Sequence, residues 1–551
     1  MRSLMRVAIA LVAVVLVGAG NPRPLGGGAG SAPLPVQRAV ESRAPALPKV
    51  RVAVPAITAT RTVHVPAGGD LQAALDRAQG GELITLEPGA TYRGPFTLRR
   101  KSRAAWITIA SASPELPGPG ERVTPAHRHL MPRLASSSDA VVIAEPGAHH
   151  YRLVGLEIAP EPGVFLQTLV RFGEDERSVG DLPHHLVVDR SYLHGDPRRG
   201  GRRGVALNAR HAAVIGSYLT DFKEEGADSQ AIAGWNGDGP FLVANNYLEA
   251  AGENVMFGGA DPAIAGLVPA DIEITGNYVT KPLRWKKDDP AFEGPEWAVK
   301  NLFELKNARR VRVAGNVFEH NWPHAQNGFA ILFTVRNQDG GAPWSVVEDV
   351  TFENNLVRHV GGGINILGRD DNHRSQQTRR IAIRNNIFLD VGGAWGPGRL
   401  FQLLDGTAAV RIDHNTALQT GTLLTGGDKA PHTGFVFENN IARHNEYGIT
   451  GSGVRAGRDA LARYFPGASV RRNVIVGGAP HEYPADNFFP SSLDEIGEID
   501  LAPRFRLLLA PGYVRAGTDG CDPGADIDAV RQAIGPLATV GLRAREAAAA
   551  A

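Results

Sequence analysis

One cysteine in 551 residues, Cys521, leaves no partner for an intramolecular disulfide, so no such bond staples the fold. Beyond residue 20 no run approaches the roughly eighteen unbroken apolar residues of a membrane-crossing helix. Neither charge is in surplus. Lysine plus arginine number 58 and aspartate plus glutamate 57, a net charge of +1. That balance gives no reason to expect nucleic acid as a partner. Nothing resembles a phosphate loop, a nucleotide fold or a Ser-His-Asp arrangement. Glycine, by contrast, is abundant at 65 residues and favours turns over long helices.

The first twenty residues read as a secretory signal. Arg2 and Arg6 precede an uncharged run over residues 7–20 that is short for a span and ends in small residues. No cysteine follows, which argues against a lipoprotein. Residues 21–60 carry many prolines among Ala, Gly and Arg and read as a flexible linker without a core. The expected location is secreted or periplasmic, with no membrane contact beyond the signal.

A phrase with asparagine inside an apolar run then recurs: VANNYL at Val243, ITGNYV at Ile274, VAGNVF at Val313, FENNLV at Phe352, IRNNIF at Ile383, IDHNTA at Ile412, FENNIA at Phe437 and VRRNVI at Val470. Weaker copies start at Leu153, Val188 and Val214. The anchors fall at 155, 191, 217, 246, 277, 316, 355, 386, 415, 440 and 473, spaced 25 to 39 residues apart. Each is followed by a second short apolar segment and a Gly-rich turn, such as KNLFELKN at Lys300 or GINILGRDD at Gly363. No unit holds an apolar stripe of helical length and period.

Coils of short strands with variable length and no helix describe a parallel β-solenoid. Stacking puts equivalent residues about 4.8 Å apart, so an Asn at the same turn of each coil can bond backbone above and below. A leucine-rich repeat is the competing architecture, but its helical return segments are missing. Residues 69–92 predict a short amphipathic helix, apolar at Leu71, Ala74, Leu75 and Ala78, followed by a strand. Such a helix can cover the open end of a solenoid. The cap, the Asn-bearing coils and the closing GTDGCDPGADI at Gly517 resemble the pectin-lyase-like, right-handed parallel β-helix proteins of secreted bacterial type. The resemblance covers residues 61–527, leaves 528–551 as a C-terminal tail, and implies an all-β fold. The family includes lyases, hydrolases, epimerases and proteins of unknown role.

Two features depart from plain scaffold. Six of the seven tryptophans lie between positions 235 and 395, and Trp285, Trp297, Trp322 and Trp344 fall in the two longest coils. Loops on a rigid solenoid are where clefts are built, and aromatic faces stack on sugar rings. The blander role for each tryptophan is to pin its loop to the body. Second, strand alternation puts Val255, Phe257, Phe303, Leu305, Ile331, Phe333, Val335, Ile364 and Ile366 inward. Glu253, Lys300, Glu304, Lys306, Arg336 and Arg369 then gather on one outer surface, with Asp370, Asp371 and Asp405 at its margin. An ordinary solvated face with ion pairs is the bland alternative.

β-Elimination of a uronic acid needs a base for the proton beside the carboxylate and a group to neutralise that carboxylate. A Lys or Arg of lowered pKa could be the base and a Ca²⁺ on acidic oxygens the neutraliser. Lys300 and Arg336, in adjacent coils, resemble the Lys/Arg pair of β-helical alginate and chondroitin lyases. That family has acidic metal ligands just before the lysine, where this chain has only Glu296. The expected catalytic set is Lys300, Arg336, Lys306 and Glu304, and the metal set is Glu253, Glu304, Asp370 and Asp371. Substrate contacts are expected from Trp285, Trp297, Trp322, Trp344, Arg369 and His324. Asp371 and Asp405 could instead form an acid pair for glycoside hydrolysis. His149–His150 and His184–His185 could suggest metal, but neighbours on a strand face opposite ways, which favours surface or turn roles. The expectation is a single-chain protein acting on an anionic polysaccharide, first as a lyase. A hydrolase or epimerase is the alternative, or a non-catalytic glycan-binding scaffold.

Overall fold

The computed structural model describes residues 44–501 and 505–539. The secretory signal and the first part of the linker lie outside the described residues. Three long parallel sheets of 14, 12 and 13 strands wind around one core, making a right-handed parallel β-helix. A representative coil runs Val347–Glu353 in the 14-stranded sheet, Leu356–Val360 in the 13-stranded sheet and Gly362–Leu367 in the 12-stranded sheet. The next coil repeats it in register, with Val350 against Ile381 and Phe352 against Ile383. All nine residues expected inward on the 12-stranded sheet are buried in the central core.

The Asn pairs sit at the corner between the 14- and 13-stranded sheets, and the two members of a pair have different jobs. The first, as in Asn245, Asn354, Asn385 and Asn439, adopts left-handed backbone with φ of 53° to 58°. Asn tolerates this region better than other side-chain-bearing residues, and Gly276 and Gly315 take the same place in their coils. The second Asn is buried and forms the ladder. Asn355 Oδ1 accepts the Asn316 backbone N–H at 2.9 Å and its Nδ2 at 3.0 Å. Asn355 Nδ2 donates to the Val313 carbonyl at 3.0 Å and to Asn386 Oδ1 at 3.1 Å. The same links run from Asn246 through Asn277, Asn316, Asn386, Asn415, Asn440 and Asn473 to Asn487. Ser191 and Ser217 continue it towards the N-terminus, and Leu156 rather than Gly155 occupies the ladder level below Ser191. Replacing Asn355 by leucine strands two donors and a carbonyl in a dry corner. The expected cost is roughly 2–3 kcal/mol, read as a lowered thermal midpoint; an unchanged midpoint would show that the corner is held some other way.

The N-terminal end is closed by helix α1, Leu71–Arg77, whose N-cap Asp70 side chain accepts the Ala73 N–H. Leu71, Ala74 and Leu75 bury against the first coil layer. Two expected boundaries move. Residues 44–60 are not a free linker: Ala46 N–H donates to Asp349, Lys49 N–H to Asp271, and the Pro55 carbonyl accepts from Arg152. These charged groups on the outer 14-stranded sheet give the segment a track. Nor does a tail begin at 528. Helix α2, Ile527–Ile534, turns Ile527, Val530 and Ile534 onto Tyr278, Val317, Leu356 and Ile387 of the 13-stranded sheet. Among the described residues no helix is long and apolar enough to cross a membrane.

Candidate functional site

The 12-stranded sheet has two edges, and the expected charge column divides between them. Phe303 pairs with Ile331 in register, so Lys300 precedes the strand while Arg336 follows the neighbouring one, its N–H donating to the Lys306 carbonyl. Lys300 therefore lies at the corner with the 13-stranded sheet and Arg336 at the corner with the 14-stranded sheet. They do not form a pair. Arg336 bonds Asp370 at 2.7 Å and also Asp371. Burial works against its charge, but the two carboxylates hold it above its ordinary value. Arg369 is exposed.

At the Lys300 corner the residues converge. Lys300 Nζ lies 2.5 Å from Asp228 Oδ1 and 3.4 Å from Glu253 Oε1. The two carboxylates thus share one ammonium, and their oxygens are no further apart than the sum of those contacts. The turn carrying Glu253 sits directly on the coil below. A Cβ on Gly252 would fall 2.5 Å from the Ser229 N and O atoms, so only glycine lets the turn settle beside Asp228. Gln230 Nε2 donates to Glu253 Oε2 at 2.8 Å, and Arg203 Nε donates to Gln230 Oε1 at 2.9 Å. One coil on, Glu304 accepts from Asn301 Nδ2 at 3.0 Å and Thr334 Oγ1 at 2.8 Å, with Lys306 at 3.8 Å.

The charges are displaced in opposite directions. Burial alone would raise Glu253, yet Lys300 and Lys306 overcome it and hold the carboxyl at about 2. Asp228 is raised, first by burial and then by the negative charge of Glu253, against the pull of Lys300. Lys300 is itself raised: burial opposes its charge, and Glu253 and Asp228 outweigh burial. This overturns the expectation of a lysine with a lowered pKa, because two carboxylates keep the ammonium protonated. The Asp228 side chain is 40% exposed, Lys300 18% and Glu253 0%. The accessible acid is Asp228, which no sequence motif marked.

The calcium ligand set does not assemble. Glu253 belongs to the Lys300 group, Glu304 to its Asn301–Thr334–Lys306 group, and Asp370 and Asp371 to Arg336 at the opposite edge. Glu253 and Glu304 are each engaged by a lysine and the two aspartates lie at the other edge, so the four do not make one oxygen cage for a hard cation. The suggested acid pair is also separated in role: Asp371 bonds Arg336, and Asp405 is buried and accepts the Lys429 N–H at 3.2 Å.

The long loops do build a cleft, of about 330 Å³, lined by Trp285, Trp322, Trp395, His324, Glu296 and Lys287 among others, with Lys300, Asp228 and Glu253 outside its lining. Trp285, Trp297 and Trp322 are buried against one another and Val299, so they brace the loops rather than offer free faces. Lys223 Nζ lies 5.1 Å from the Trp297 ring centroid and 5.5 Å from that of Trp285. Trp344 is remote from this corner and donates its Nε1–H to the Leu267 carbonyl. The ring left half-buried at the cleft is Trp395, stacked on His320 at 5.2 Å and donating its Nε1–H to Asp390. His324 Nδ1 accepts the Val299 N–H at 3.3 Å, and Gln326 Oε1 accepts from Asn301 at 3.1 Å, joining the cleft wall to the charged group.

Beneath the site lies a second group that sequence reasoning missed. Lys281 is fully buried, and its Nζ lies within 3.0 Å of the carbonyls of Ala250, Ala251, Gly252 and Asn301 and of Asn254 Oδ1. It gathers the turn that presents Glu253. A larger groove, about 1030 Å³, runs under the C-terminal segment. Among its charges, Arg384 pairs with Glu353 at 2.7 Å and His414 with Asp413 at 3.0 Å.

No family model matches the chain, and no curated protein matches it. Solved structures similar to it include polysaccharide lyases, glycoside hydrolases and a tailspike protein. The catalytic unit of a thermostable GH87 alpha-1,3-glucanase from Streptomyces thermodiastaticus is 14% identical over 80% of this chain and 71% of its own, with a TM-score of 0.48. A PL6 family alginate lyase is 14% identical over 87% of this chain and 58% of its own, at 0.43. A pectate lyase is 13% identical over 85% and 96%, at 0.36.

Proposed function

We propose that the protein hydrolyses a polysaccharide at the corner between the 12- and 13-stranded sheets, with Asp228 as the proton donor to the leaving oxygen. The observation that carries this reading is the pair of carboxylates on Lys300. One is accessible and raised, which suits a proton donor to a glycosidic oxygen, and the other is buried beside it and held low. Glu253 acts through Asp228, as a fixed negative charge that raises the pKa of its neighbour. The neighbouring cleft has room for a sugar ring against Trp395.

The same geometry argues against β-elimination. A uronate carboxylate needs a free cation, but Lys300 already faces Asp228 and Glu253, and Lys306 faces Glu304. At this corner a neutral glycan is accordingly favoured over an anionic one. The leader-like first twenty residues make the cell exterior or periplasm the proposed setting. A panel of neutral and uronate polysaccharides tests the reading. New reducing ends without ultraviolet absorbance from an unsaturated sugar support hydrolysis. That absorbance on a uronate polymer would restore elimination, and a wild type that binds glycan without cleaving it would leave a binding scaffold.

A further inference from the structure

On the 14-stranded sheet, away from the cleft, the histidine pairs do not obey strand alternation. His150 and His185 adopt left-handed backbone, with φ of 59° and 54°. That twist folds each pair onto one side. Nδ1 of His149 lies 3.0 Å from Nδ1 of His150, and Nδ1 of His184 lies 2.8 Å from Nδ1 of His185. Adjacent coils stack these rings. His149 lies on His184 at 4.9 Å, His150 on His185 at 4.4 Å, and His185 on His211 at 4.6 Å. One ligand atom each from His150, His184 and His185 falls within 4.8 Å of the others.

We propose that His150, His184 and His185 form a binding site for one transition-metal ion of the zinc, nickel or copper class, which clamps two successive coils together. Three neutral imidazoles with an open fourth position suit borderline metals, whereas Ca²⁺ and Mg²⁺ require oxygen. The tautomers are partly fixed. His149 Nε2 lies 3.0 Å from the Lys101 carbonyl and must donate to it, so its Nδ1 carries a lone pair towards His150. Arg210 is the nearby cation, and Asp238 lies 3.5 Å from it. Trp106 stands edge-on to His150 at 5.4 Å and serves as a built-in reporter.

Untagged protein freed of metal by chelation is titrated with Zn²⁺, and separately with Co²⁺ and Cu²⁺. One ion per chain is expected, bound at micromolar concentration or below, with the intense visible bands of tetrahedral Co²⁺ and a raised thermal midpoint. His150→Ala and His185→Ala should each weaken Zn²⁺ binding by about 100-fold or more, while His211→Ala, outside the triad, should change it only a few-fold. Cu²⁺ should quench a component of tryptophan emission that is missing in Trp106→Phe, a measurement that needs no histidine change. Failure of the wild type to take up a stoichiometric ion would overturn the proposal and leave the rings as a stacked ladder. Unchanged affinity in both His150→Ala and His185→Ala would overturn it as well.

Discussion

Replacing Lys281 by methionine is expected to lower the unfolding free energy by roughly 3–5 kcal/mol, among the largest single-residue losses in this chain. The side chains are similar in length, so packing changes little; the polar accounting changes a great deal. Four main-chain carbonyls and Asn254 Oδ1 converge on Nζ at 2.7 to 3.0 Å in a fully buried pocket. All five are acceptors, and the only donors that reach them together are those of one ammonium. Burial pushes that ammonium well below the usual lysine range, while Glu253 and Glu249 pull it back. A thioether donates nothing, so these acceptors lose their shared partner, although Ala251 keeps the Lys300 backbone N–H. Denaturant unfolding measures the loss, and a drop below about 1 kcal/mol would show that the turn closes without the lysine. Activity should fall with stability, because the same turn presents Glu253 and accepts the Lys300 N–H at Ala251.

The contrast between Asn355 and Lys281 shows what a sequence exposes and what it conceals. Asn355 was legible because it recurs: each coil repeats an Asn in an apolar run, and stacking of equivalent residues leaves a ladder as the natural consequence. The nine core positions on the 12-stranded sheet followed from alternation alone. Lys281 occurs once, in the segment KPLRW, and a lone lysine before a proline reads as an exposed loop residue. Only the three-dimensional closure of the 281–302 loop shows that it is enclosed. Alternation also placed Lys300 and Arg336 on the correct sheet but could not show that they sit at opposite edges, since that depends on strand ends. Trp285, Trp297 and Trp322 were found in the right loops with the wrong role, because whether a ring faces in or out depends on how the loops pack on each other. His150 and His185 defeated the alternation rule through a left-handed residue inside the strand. Helix α2, in contrast, was within reach: Asp526 caps it, and Ile527, Val530 and Ile534 fall at helical spacing.

Asp228→Asn is expected to reduce turnover on the cleaved glycan by about 10²–10⁴-fold while leaving glycan binding and thermal stability close to wild type. The amide keeps the shape of the carboxyl but carries no transferable proton. Asp228 is also partly exposed, so its loss should not strand a buried charge of its own. Glu253→Gln should behave differently, because Glu253 is buried and acts through its neighbour. Its negative charge is among the causes that raise Asp228, and it competes with Asp228 for Lys300. Removing that charge lowers the Asp228 pKa on both counts. A proton donor loses activity as pH rises through its pKa, so the basic limb of the pH–rate profile should move to lower pH in Glu253→Gln. The same substitution removes a carboxylate held at about 2, against about 4.3 in an unfolded chain. The stability that Glu253 contributes is present above about 4.3 and is lost as pH falls towards 2. Acid unfolding of Glu253→Gln should therefore be less steep over that interval. A simple structural role for Glu253 would alter stability without moving the basic limb, and full activity in Asp228→Asn would remove Asp228 from the chemistry.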